Sequence, residues 1–222
     1  MMLKIVLFYN VGLAAFSHLK ITSLQFEREY SQPPIVNGNH FDHYQSYTIG
    51  KEEKQVSEFR IKKRTLATWR NIPIPKLSSE IKPHSIWHAM KMGTVSILDR
   101  TNIDFYGLEI SIKAPIDKHV QIVSVMKPLL DGIISAFHHH DSSNLDEVVG
   151  RLNASINLPQ EQIAHFLLDN SISILGERNL IQPYGNRVKW NPEDDAFQFF
   201  TITKEAQHPN DKWTIDGEIF TI

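Results

Sequence analysis

The chain contains no cysteine, which excludes disulfide staples, thiolate catalysis and cysteine-ligated zinc. Strong charge of either sign is also missing. The formal net charge is −2, so any attraction to nucleic acid must come from local patches rather than from the whole molecule. No phosphate-cradling glycine loop and no G-x-S-x-G elbow occurs, and Gly107 and Gly185 stand alone. No apolar run approaches the ~20 residues that span a bilayer. The longest, Ile5 to Phe16, is interrupted by Asn10. It admits a secretory signal ending near Ala14-Ala15-Phe16-Ser17, or a buried strand from Leu3 to Tyr9 that turns at Asn10 and Gly12. The single basic residue Lys4 and the lack of a clean small-residue cleavage site favour the strand, and with it a cytoplasmic protein.

What is present is ordinary globular material. A hydrophobic fraction of 41% and a charged fraction of 22% over 222 residues fit one domain with a real core. Ser31-Gln32-Pro33-Pro34 and Asn37-Gly38-Asn39 mark an irregular loop. Over 51–70, Val56, Phe59, Leu66 and Trp69 recur at helical spacing among charged residues, which predicts an amphipathic helix. Pro73, Pro75 and Pro83 predict an extended connector over 71–84. Strands are expected at Thr94–Leu98 and Ile103–Lys113, the second closed by Pro115. Met126, Leu130, Ile133 and Phe137 line one face of a helix over 126–138, with Pro128 expected in its first turn. Shorter helices follow at Asn144–Leu152 and Pro159–Leu168. Strands at Ser171–Leu175, Arg187–Trp190, Phe197–Thr203 and Trp213–Ile222 complete the chain. The expected fold is therefore α/β (α+β), a mixed sheet with helices packed on it.

Two pieces in order carry chemical information. QIVSVMKPLLDGIISAFH occupies 121–138, and NPEDDAFQFFTITK occupies 191–204. Together they resemble RusA-type Holliday-junction resolvases, in which a strand ending in D-x-D-N leads into a helix reading K-x-x-x-D-x-small and a later D-D opens a strand ending in lysine. Lys127 and Asp131 fall on the helix motif; Asp194, Asp195 and Lys204 fall on the second element. The resemblance implies Mg²⁺ held by carboxylates, with Asp194, Asp195 and Asp131 as the surviving ligands, and Lys127 facing a phosphate of branched or duplex DNA. It also implies a homodimer.

The departures are specific. The motif aspartates fall on Gln121 and Val123, and the asparagine on Ser124. Valine offers no oxygen, and a hard divalent ion needs several. The stretch from Asp131 to Asp194 is longer than the family's short turn, so 141–186 reads as an inserted helical subdomain on a single domain over 1–222. Three functions follow from this reading. One is a nucleic-acid-associated protein with lost or weakened metal-dependent endonuclease activity. Another is an inert subunit that docks a protein partner through 141–186, for example in a defence system. The third is an active nuclease using relocated carboxylates among Asp99, Asp104, Glu109 and Asp117.

Other constellations have plainer readings beside the functional one. Lys127 and Asp131 at i, i+4 also make an ordinary surface ion pair. Arg60, Lys62, Lys63, Arg64 and Arg70 can contact phosphates, with Trp69 for base stacking, or form a solvated face partly neutralised by Glu52, Glu53 and Glu58. His138-His139-His140 at a helix end diverge by about 100° per residue, so a solvated terminus is expected rather than a metal site. His40-Phe41-Asp42-His43 matches no catalytic spacing.

Overall fold

The computed structural model describes residues 21–29, 35, 37–40, 44–50, 62–101, 105–205 and 212–222. The strand expected at Leu3–Tyr9 lies outside them, as do 51–61 of the expected amphipathic helix and most of the His40–His43 loop. The fold is mixed α+β. Seven strands form one sheet: β1 (Ser23–Glu29), β2 (Tyr44–Gly50), β3 (Arg64–Ile74), β4 (Val95–Ile97), β5 (Tyr106–Lys113), β10 (Phe197–Lys204) and β11 (Trp213–Thr221). Their order is β2-β1-β10-β5-β11-β3-β4. Among the described strands of this sheet, only β10 and β5 run parallel, and parallel neighbours require a crossover connection. That crossover contains α2 (Ile122–Ala136), α3 (Leu145–Ile156) and α4 (Gln160–Leu168), with short strands β6 (His139–His140), β7 (Glu177–Arg178), β8 (Ile181–Tyr184) and β9 (Arg187–Trp190). Helix α1 (Pro83–Met92) connects β3 to β4.

Helix α2 organises the core. Of its residues only Ser124, Lys127 and Pro128 are even partly exposed, as expected of a helix covered on nearly all sides. Its apolar residues join Leu24, Phe26, Phe200 and Ile202 from the sheet and Ile86, Trp87 and Met90 from α1 in one cluster. Gly132 lets α1 and α2 approach: a Cβ there would lie 2.6 Å from the Pro83 carbonyl oxygen and 2.6 Å from Ile86 Cβ. Buried Val148, Leu152, Ile163, Leu167, Leu180 and Ile181, from the long connection after α2, belong to the same cluster. Trp87 binds that connection to α1 through ring contacts with Trp190 at 5.5 Å and Phe166 at 6.2 Å.

Several expectations are corrected. Residues 64–70 form strand β3, not a helix. Two bulges explain the helix-like spacing. The pairing with β11 shifts between Ile215 and Gly217 and again between Ile219 and Phe220, and each extra residue in β3 stretches a two-residue repeat to three. Asn71 sits in the first bulge with φ of 51°, and its N–H donates to Asp216 Oδ1 at 2.7 Å. The extended connector over 71–84 is also corrected. Strand β3 runs on to Ile74, with Pro73 beyond the short stretch that pairs with β4, where a missing N–H costs nothing. Pro83 opens α1 at its first position. Helix α2 begins at Ile122, so Pro128 lies in its interior rather than its first turn. The Ser124 carbonyl loses its usual donor there, and burial of Ile122, Val125, Met126 and Leu129 holds the helix across the defect. Ser171–Leu175 is a run of turns, not a strand. None of the described helices is long and apolar enough to cross a membrane.

Candidate functional site

Gln121, Ser124, Lys127 and Asp131 fall on one stripe of α2, the side turned furthest from the apolar cluster. The Lys127 ammonium donates to both oxygens of Asp131, at 2.9 and 2.8 Å. The lysine side chain is 42% exposed and the aspartate side chain 12%. Burial pushes the Asp131 carboxyl above its ordinary pKa; Lys127 opposes the shift, and the charge of Asp194 adds to it. The two carboxylates that the resemblance pairs are therefore within electrostatic reach. Asp194 lies buried in a 3-10 turn, Asp194–Ala196, that leads into β10. Its backbone carbonyl accepts a hydrogen bond from the buried Arg28 guanidinium of β1 at 2.9 Å.

The remaining motif residues scatter. Asp195 faces solvent. Lys204 ends the eight-residue strand β10 that begins where that turn stops, roughly 25 Å away at the usual rise. Its ammonium reaches the Lys118 carbonyl at 3.4 Å. Gln121 caps α2 and Val123 lies in its first turn, buried against the core. The strand end expected at these positions is absent: β5 ends at Lys113, well before Gln121. Among the described residues, the relocated carboxylates do not gather at Asp131 either. Glu109 shares a sheet face with Thr201, away from Leu108 and Phe200 in the core. Asp99 is held down to about 2 by hydrogen bonds from Thr101 and then Arg64. Asp117 is exposed at a turn with φ of 62°, and Asp104 lies outside the described residues.

The expected phosphate-binding face is changed in kind, since its residues lie along a strand. Lys62 donates to Glu218 at 2.5 Å and sits over the Phe220 ring. Arg64 binds Asp99 at 2.7 Å. Trp69 is a core residue, buried and packed on Phe137 with centroids 5.5 Å apart, so it offers no platform for a base. Lys63 and Arg70 face solvent. Arg60 lies outside the described residues.

The three histidines after α2 are the larger surprise. His138 and His140 are buried rather than solvated. Each uses both ring nitrogens to tie backbone segments together. His138 Nδ1–H donates to the Gly176 carbonyl at 3.2 Å, and Nε2 accepts from the Glu193 N–H at 3.4 Å. His140 Nε2–H donates to the Ser143 carbonyl at 2.9 Å, and Nδ1 accepts from the Leu180 N–H at 3.3 Å. Only neutral imidazole can do both at once. Burial, and then Arg178, lowers the His138 pKa to about 3.

Sequence reading also missed two buried cations. Arg28 is reached through the alternation Leu24, Phe26, Arg28, which signals a strand but gives no hint of its partner. Lys91 has a side chain 1% exposed beside Asp169, and burial lowers its pKa to about 8. Among the described residues no three His, Asp or Glu side chains converge as a metal centre. No family model matches the chain, and no curated protein or solved structure is similar enough to count as a match.

Proposed function

We propose that this chain is a RusA-like, nucleic-acid-associated protein of the cytoplasm that binds without metal-dependent cleavage. The observation that carries the proposal is the Lys127 ammonium seated on both oxygens of Asp131. A phosphodiesterase carboxylate at this position turns its oxygens to a divalent ion; here a lysine of the same helix supplies the countercharge. Magnesium fits the remaining donors poorly. Val123 is apolar and buried, Asp195 is exposed, and both oxygens of Asp131 are taken by Lys127. The family part of the reading is supported by the β5-α2-β10 crossover and by the electrostatic reach between Asp131 and Asp194. Phosphate contacts would come from Lys118 and Lys204 near the start of α2, since Lys127 is already neutralised by Asp131.

The test is to incubate the protein with branched, duplex and single-stranded DNA, with and without Mg²⁺ or Mn²⁺, scoring binding and cleavage in the same gels. Retarded bands that weaken as salt rises, with intact DNA in every lane, are expected. Metal-dependent cleavage would establish the active-nuclease reading instead. Absence of binding at low salt would leave the inert protein-docking subunit, which the exposure of Tyr184 (70%) and Leu168 (41%) on the connection after α2 favours.

A further inference from the structure

At one end of the sheet stands β4, the strand that follows α1. Thr94, Ser96 and Leu98 are exposed, while Val95 and Ile97 are half-buried and pack against the apolar cluster. That is the two-residue repeat of a strand with one wet face. The Leu98 N–H donates inward to the Leu66 carbonyl of β3 at 2.8 Å, and Ser96 lies opposite Thr68 of the same strand. Antiparallel pairing alternates, so the N–H and C=O groups of Val95 and Ile97 turn outward, away from β3. Among the described residues no strand pairs with that side of β4.

An open edge is a template for another strand, and proteins guard such edges with charge or proline. Residues 93–98, GTVSIL, carry neither. Apolar surface gathers there instead. Met92, at the end of α1, is 62% exposed and Leu98 is 61% exposed. Lys91 donates to the Asp169 carbonyl at 3.2 Å, and Arg100 donates to the Ser171 carbonyl. These two contacts bring the end of α4, with its exposed Leu168, to the same corner of the molecule. Outward main-chain groups beside apolar side chains are what an added strand recognises.

We infer that the β4 edge is the interface for a second copy of this chain, paired antiparallel about a two-fold axis at Ser96. In that register Val95 of one copy lies opposite Ile97 of the other, so every outward N–H meets a carbonyl. Leu98 covers Thr94 of the second copy, and Ser96 meets Ser96. A contact of this self-complementary kind closes at two chains. Charge favours the pairing. The strand itself is uncharged, Asp99 is already bound by Arg64, and Arg100 of each copy comes to the end of the other that carries Asp169. A three-residue strand buries little area, so the dimer is weak and reversible. The inference is independent of the nucleic-acid reading, because β5, β11 and β3 lie between this edge and β10.

Sedimentation equilibrium of the full chain from about 5 to 500 µM tests it. Average mass should rise with concentration from one chain towards two and no further. Ser96→Lys sets like charges directly opposite each other across the axis, and should weaken association by about fivefold or more. Ser96→Glu should do the same. Thermal unfolding of both variants should match the unmodified protein, because Ser96 is exposed. An equal mixture of the two variants should associate again, since unlike charges then face each other. Leu98→Lys, opposite Thr94 in this register, should also weaken association, and it keeps the test decisive if a Ser96 variant folds poorly. A single chain at every concentration overturns the proposal. So does association beyond two chains, association that Ser96→Lys and Leu98→Lys leave unchanged, or a mixture no stronger than its components.

Discussion

Acid should loosen this protein through one buried imidazole. His138 titrates near 6.5 when unfolded and at about 3 in the folded chain, chiefly because burial disfavours the charged ring and secondly because Arg178 repels it. A group with a depressed folded pKa binds its proton more readily in the unfolded state, so stability falls as pH drops below 6.5 and goes on falling towards 3. The slope approaches 1.4 kcal/mol per pH unit in that window. From pH 6.5 to 5 the loss from His138 alone is therefore about 2 kcal/mol, a large share of the 5–15 kcal/mol that typically holds a domain together. The raised pKa of Asp131 works against the trend and the lowered pKa values of His84 and His88 work with it, so the total slope is not diagnostic by itself. The difference between two proteins is. His138→Asn keeps a donor for the Gly176 carbonyl and cannot titrate. It should cost about 2 kcal/mol at pH 7 through lost ring packing and the lost Glu193 contact. That cost should shrink towards zero by pH 5. Urea unfolding of both proteins at half-unit pH steps from 7.5 to 5 measures it. Parallel stability curves across that range would refute the reasoning, and would mean that the imidazole is protonated or solvated in the native state.

Three further outcomes follow from particular contacts. Lys127→Met should destabilise the protein by about 2 kcal/mol at pH 7, because it strands a mostly buried carboxylate, whereas Asp131→Asn should cost less than about 1 kcal/mol, since the released ammonium is partly exposed; denaturant melts of the two variants should keep that order. Gly217→Ala should cost about 3 kcal/mol or prevent folding, since a Cβ there would lie 2.3 Å from Trp69 Cζ2 and 2.5 Å from the Glu109 carbonyl, and thermal unfolding checks it. If DNA binds, alanine at Lys62 and Arg64 together should leave the slope of affinity against salt unchanged, because Glu218 and Asp99 already neutralise both cations; a slope reduced by about two in a salt-titrated gel shift would show that they contact phosphate.

Local pattern alone determined much of this protein. The period of Met126, Leu130, Ile133 and Phe137 gave α2; the β-branched and aromatic runs gave β5, β9, β10 and β11; the i, i+4 spacing gave the Lys127–Asp131 pair. These signals need only a residue and its near neighbours, so they are legible along the chain. The rest depended on which segments meet. Strand β3 looked helical because its bulges are imposed by pairing with β11, some 150 positions away. Pro128 seemed to forbid the first turn of α2, yet burial of that turn between sheet and α1 outweighs one missing hydrogen bond. The burial of His138 and His140 was invisible, because histidine next to a helix end is usually wet and only the return of Gly176, Leu180 and Glu193 encloses them. Glu109 and Glu218 face each other only because β5 and β11 pair in one register. Burial, register and electrostatic partnership are long-range quantities, set by tertiary packing and not by the residues that flank a position.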